Sequence, residues 1–104
     1  MYDLETIAKQ LGFGVDDVKA IVSVLLQEAE ASMQKVEEMF KREAWEQIAV
    51  EVHSIKGSAG NMQLTTLSDL SIALETAAQA EDPQQTKVLI HELRSALQQL
   101  QQQL

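Results

Sequence analysis

The stretch His53-Ser54-Ile55-Lys56-Gly57-Ser58-Ala59-Gly60-Asn61 predicts a central helix with two different faces. At about 100° per residue, one face of this helix is apolar and is expected to pack on a core. It consists of Ile48, Val52, Ile55, Ala59 and Met62. The other face places an imidazole and an ammonium group among small residues, and it consists of Ala49, His53, Lys56, Gly57 and Gly60.

The two glycines indicate what the second face does. A glycine inside a helix costs about 1 kcal/mol relative to alanine, and neither glycine lies on the face that packs on the core. A residue without a side chain lets another surface come close to its neighbours. The pattern therefore favours a reactive His53 that is open to docking, with Lys56 one turn away as a cation for an anion such as phosphate.

The motif His-x-x-Lys-Gly-Ser at residues 53–58 resembles the signature of histidine-containing phosphotransfer (Hpt) domains. The sequence departs from the family pattern at Gln63, where family members usually have glycine. This departure leaves open how the histidine helix ends. Outside the motif, the similarity covers most of the chain and includes Ala44, Trp45, Glu46, Leu67, Leu70, Leu74 and Glu75.

The resemblance implies a role for each candidate site residue. His53 would be the phosphoacceptor, Lys56 would stabilise the phosphoryl group, and Glu75 would accept a hydrogen bond from Nδ1 of His53 and so orient its ring. The magnesium ion and the acceptor aspartate would belong to a receiver-domain partner, so no cofactor or metal is expected in this chain. A docking surface for that partner is expected at Ala49, Gly57 and Gly60, together with apolar residues near the N-terminal helix.

Composition limits the class of protein. A chain of 104 residues with 45% hydrophobic residues is expected to form one globular domain over residues 1–104. Cysteine is absent, which excludes disulfides and thiolate chemistry. Eight Lys and Arg against sixteen Asp and Glu give a net charge of −8, which argues against nucleic-acid binding. No apolar run approaches the ~18 residues of a membrane span, and a cytoplasmic location is expected.

Apolar spacing predicts helices throughout the chain. A short one runs from Asp3 to about Leu11, and Phe13 is expected to close the end of the core. The stripe from Val18 to Phe40 continues in phase into the histidine helix without glycine or proline, so periodicity alone predicts one very long helix. The resemblance implies instead a tight turn near Arg42–Ala44.

Later boundaries carry their own signals. Thr65 or Thr66 is predicted to cap the next helix, which ends near Ala80. Asp82 followed by Pro83 is the pattern of an N-cap and a first helical residue. Short connections favour antiparallel neighbours, so the fold expected is an all-α, antiparallel up-down four-helix bundle with a short additional N-terminal helix.

These observations predict a phosphoryl carrier, not an enzyme in its own right. It would be a monomer in a bacterial-type two-component phosphorelay, with response-regulator receiver domains and a sensor or hybrid histidine kinase as partners. One alternative is the N-terminal phosphotransfer domain of a chemotaxis-type kinase, which a separate kinase domain phosphorylates from ATP. Two others are a helical adaptor without phosphate chemistry and a degenerate Hpt domain that keeps only the docking surface.

Overall fold

The computed structural model describes residues 2–104, and all regular structure in this range is helical. The chain order is α1 (Leu4–Leu11), α2 (Val15–Lys41), α3 (Trp45–Asn61), α4 (Thr65–Gln79) and α5 (Pro83–Gln101). The predicted all-α class and the predicted N-terminal helix are therefore confirmed.

Helices α2 to α5 form the bundle. Each packs against the next in sequence, α5 returns to pack against α2, and α1 packs on α2. Because three-residue turns join successive bundle helices, each runs antiparallel to the one before it. The up-down four-helix bundle is confirmed, with α3 and α4 forming its most extensive pairing.

A single apolar cluster fills the space between the helices. Four of the five residues on the predicted apolar face of α3 are at most 4% exposed, and Met62 just beyond the helix is 9% exposed. Phe13 is 47% exposed, so the prediction that it closes the core is wrong. The cluster is built around large, fully buried side chains that include Met33, Ile48, Leu64, Leu67, Leu74, Leu93, Leu97 and Leu100.

The three turns of the bundle share one backbone geometry. Glu43, Gln63 and Glu81 each have φ between 54° and 58°, in the left-handed region. In each turn the following N–H bonds back to the carbonyl five residues earlier, for example from Leu64 to Ala59 at 2.8 Å. This is the Schellman pattern that usually has glycine at the left-handed position. The turn that the resemblance implied near Arg42–Ala44 is confirmed. Periodicity alone did not indicate it, because Glu43 and not glycine occupies the left-handed position.

Two helix starts follow the sequence signals and one does not. Asp82 accepts the expected hydrogen bond at the start of α5, where Pro83 is the first residue, and α1 starts where the spacing placed it, with Asp3 accepting a hydrogen bond from the Thr6 N–H. The cap predicted at Thr65 or Thr66 is wrong, because α4 has Leu64 at its N-cap position and no side-chain cap from there. Instead, the hydroxyl of Tyr2 accepts a hydrogen bond of 2.9 Å from the Leu67 N–H.

Candidate functional site

His53 lies on the outer surface of α3, and its side chain is 65% exposed. The apolar side of the same helix is held against α2 and α4, so the imidazole has a fixed position on a packed element. A histidine in this setting can be reached by another protein without any change in the bundle.

Glu75 reaches His53 from the adjacent helix α4. Its Oε2 atom lies 2.9 Å from Nδ1 of the imidazole, and the glutamate side chain is 16% exposed. An ionised carboxylate can only accept hydrogen bonds, so Nδ1 carries the proton in this pair. The contact therefore leaves the lone pair of the neutral ring on Nε2.

Lys56 approaches the other oxygen of the same carboxylate. Its Nζ atom lies 3.3 Å from Oε1 of Glu75. The side chain is 29% exposed, with His53 one helical turn away on α3. The structure thus brings together the three predicted residues His53, Lys56 and Glu75. It adds a Lys56–Glu75 ion pair that the sequence did not indicate.

The two partners of Glu75 determine its charge state. The hydrogen bond from His53 lowers the pKa of the Glu75 carboxyl below its usual value, and Lys56 acts in the same direction, while burial acts against them. The lowered pKa means that Glu75 is a carboxylate at neutral pH. The carboxylate can therefore hold the Nδ1–H tautomer of His53 under cellular conditions.

The glycines of α3 lie on an open surface, as expected. A Cβ added at Gly57 would have no atom within 4 Å outside its own helix, and one at Gly60 would meet only Oγ of Ser68 at 3.7 Å. Internal packing thus requires neither glycine. Ala49, placed on the same face from the sequence, is only 6% exposed, so it offers a partner little contact area.

The second histidine of the chain is not part of this site. His91 is exposed on α5, and α5 does not pack against α3. Within residues 2–104, no group of three or more His, Asp or Glu side chains is placed to hold a metal ion. No helix in the same range is long and apolar enough to cross a membrane.

Comparison with models of known protein families identifies the family of this chain. The family model described as "Hpt domain" matches residues 20–103, a range that includes His53, Lys56 and Glu75. The chain belongs to the Hpt domain family. Hpt domains carry out histidine phosphotransfer in phosphorelays and act as phosphocarriers, with receiver domains and kinases as partners. No curated protein and no solved structure matches the chain.

Gln63 lies in the turn between α3 and α4. The resemblance implied glycine at this position, and here Gln63 adopts φ 58°, which glycine adopts without strain. The helix nevertheless ends at Asn61 and the turn to α4 is formed. The departure from the family pattern thus affects the backbone of a turn and leaves the contacts of His53 in place.

Proposed function

We propose that this Hpt domain carries a phosphoryl group on Nε2 of His53 and exchanges it with the aspartates of receiver domains. The observation that supports the proposal most directly is the 2.9 Å contact between Nδ1 of the exposed His53 and the Glu75 carboxylate. A carboxylate at this distance favours the tautomer with the proton on Nδ1 and the lone pair on Nε2, which supports Nε2 as the nucleophile. Phosphoryl transfer depends chiefly on such positioning and on charge stabilisation.

In the forward step, the lone pair of Nε2 attacks the phosphorus of an aspartyl phosphate on the receiver. A P–N bond forms, the bond between phosphorus and the aspartate oxygen breaks, and the aspartate leaves as a carboxylate. The ring keeps its Nδ1 proton and gains positive charge as the new bond forms. The reverse step returns the phosphoryl group to another receiver aspartate, so the carrier is regenerated unchanged.

Glu75 has an electrostatic role in this mechanism. Its carboxylate lies beside the ring nitrogen that becomes cationic during transfer, much as a buried aspartate stabilises the imidazolium of a catalytic triad. Because its pKa is lowered, the group stays ionised and can supply this stabilisation at neutral pH.

Lys56 contributes a positive charge on the same helix, one turn from the acceptor. In the unphosphorylated protein its Nζ bonds to Glu75, which helps to hold that carboxylate against the ring. When the phosphoryl group is present, we assign Lys56 to its negative oxygens, where an ammonium group acts as a point charge.

The partners in this proposal supply the remaining chemistry. The receiver domain provides the aspartate and its Mg²⁺ ion, and a sensor or hybrid histidine kinase feeds the relay. In this proposal the Hpt domain acts as a monomer in the cytoplasm, with residues 1–104 as a single domain.

The test is phosphorylation by receiver domains charged with acetyl phosphate. We expect wild type and His91→Gln to acquire an acid-labile, base-stable phosphate, and His53→Gln to acquire none. Label that appears only with a chemotaxis-type kinase and ATP would favour the kinase-fed alternative. Absence of label with both sources would contradict the proposal and favour an adaptor or a degenerate Hpt domain.

A further inference from the structure

A groove of ≈ 1100 Å³ opens beside His53, between the α2–α3 turn, the α4–α5 turn and the first half of α3. His53 and Glu75 line one part of it, so the groove is continuous with the phosphotransfer site. Its apolar lining consists of Met39, Ala44, Trp45, Ala49, Val50 and Ala78.

Val50 is the main unpartnered apolar side chain in this groove. It is 70% exposed, more than any other large hydrophobic residue described, and it lies one helical turn before His53. Trp45 is half-buried, with its ring packed edge-on against Phe40 at a centroid distance of 5.8 Å. An apolar side chain of a partner that entered the groove would remove these surfaces from water, which is favourable.

The charge of the groove specifies the partner further. Five glutamates line it, and no Lys or Arg is found among its described lining residues. Glu75 is paired with Lys56 and His53, whereas no ion pair within residues 2–104 engages the other four. A surface with this charge attracts Lys and Arg and disfavours acidic partners. The four unpaired groups are Glu43, Glu46, Glu51 and Glu81.

We propose that this groove binds the receiver domain beside its phosphorylated aspartate, by taking an apolar side chain that is flanked by Lys or Arg. The inference rests on the proposed function, since a receiver whose aspartate reaches His53 also covers the groove that His53 lines. Gly57 and Gly60 lie on the other side of His53 along α3. The glycines thus permit close approach, while the groove selects which receiver docks.

Two groove variants test this assignment. Glu43→Lys with Glu81→Lys reverses two exposed charges in the turns, and Val50→Asp removes the exposed apolar contact. The matched controls lie on α5, which does not pack against α3. Glu92→Lys with Gln98→Lys and Gln99→Lys gives the same change in net charge, and Val88→Asp replaces another exposed valine.

The measurement is the initial rate of transfer from the charged receiver that phosphorylates the wild type fastest, over a range of receiver concentrations. We expect each groove variant to raise KM by about tenfold while kcat is retained, and the α5 controls to stay within about twofold of wild type. Added salt should raise the KM of the wild type more than the KM of the double lysine variant.

If the groove variants have the same KM as their controls, the groove assignment is overturned. In that case, His53-dependent labelling of the wild type would show that the proposed function still stands. A wild type that accepts no phosphoryl group would overturn both. Thermal unfolding of each variant verifies that the exposed substitutions leave the bundle folded.

Discussion

Nδ1 of His53 and Oε2 of Glu75 lie 2.9 Å apart, although 22 residues separate them in the chain. The contact joins α3 to α4, the most extensively packed pair of helices in the bundle. The orientation of the imidazole is therefore set by the core packing that fixes the two helices. In the proposed mechanism, this packing leaves Nε2 as the ring nitrogen available for phosphoryl transfer.

Replacing Glu75 should slow phosphoryl transfer without abolishing it. Glu75→Ala removes both the hydrogen bond and the charge, and we expect a fall of about 10- to 100-fold in the transfer rate, the range found for partners that orient metal-ligating histidines. Glu75→Gln keeps an acceptor oxygen and loses the charge, so its rate should lie between those of wild type and Glu75→Ala. Rapid-quench kinetics with a charged receiver measures both variants. An unchanged rate in Glu75→Ala would eliminate the orienting role.

The lowered pKa of Glu75 also predicts a dependence of stability on pH. Because the folded state binds the proton less tightly than the unfolded chain, the contribution of Glu75 is present above its unfolded pKa, whose ordinary value is 4.5. It is lost as the pH falls through the folded pKa. We expect the difference in unfolding free energy between wild type and Glu75→Gln to shrink between about pH 5 and pH 3. Urea unfolding measures this, and a difference that stays constant with pH would contradict the ionised pair.

Substitutions at Gly57 should separate folding from transfer. Because a Cβ at this position meets no atom within 4 Å outside its own helix, Gly57→Ala should stabilise the protein by about 1 kcal/mol through helix propensity. Gly57→Gln should also fold, but its side chain should obstruct the approach of a receiver and block transfer. Thermal unfolding and transfer assays on the same samples measure both effects. Unimpaired transfer by folded Gly57→Gln would contradict docking at this surface.

Gln63→Gly should stabilise the bundle. The left-handed backbone costs a residue with a Cβ about 1–2 kcal/mol, and glycine avoids this cost. Glycine also has greater freedom in the unfolded chain, which offsets part of the stabilisation. The net stabilisation expected is therefore about 0.5–1 kcal/mol. Gln27→Gly, at an exposed position within α2, is the matched control and should destabilise by about 1 kcal/mol. Urea unfolding compares the stabilities of the two variants. A Gln63→Gly protein less stable than wild type would contradict the claim that the backbone of Gln63 is strained.

Much of this fold could be predicted from periodicity and from local chemistry. The apolar face of α3 and the Asp82–Pro83 start of α5 involve residues close in sequence, and both were predicted. None of the three turns carries the glycine that usually marks a helix end, because Glu43, Gln63 and Glu81 occupy the left-handed positions. The cap at Leu67 was missed because its acceptor, the hydroxyl of Tyr2, lies 65 residues away in the chain.

The candidate site could be predicted only in part for the same reason. His53 and Lys56 belong to one helical motif, whereas Glu75 was located by counting along a family resemblance. The ion pair between Lys56 and Glu75 depends on how α3 and α4 pack, as does the groove that contains Val50. The burial of Ala49, which the spacing had placed on the exposed face, has the same origin.

The most direct test of the central claim is to locate the phosphoryl group by NMR on ¹⁵N-labelled protein that a charged receiver has phosphorylated. Long-range ¹H–¹⁵N and ³¹P spectra assign the phosphorylated nitrogen and the tautomer of the free ring. We expect phosphorus bonded to Nε2 of His53, and an Nδ1-protonated ring in the unphosphorylated protein that depends on Glu75. Phosphorus on Nδ1, or on any residue other than His53, would contradict the mechanism.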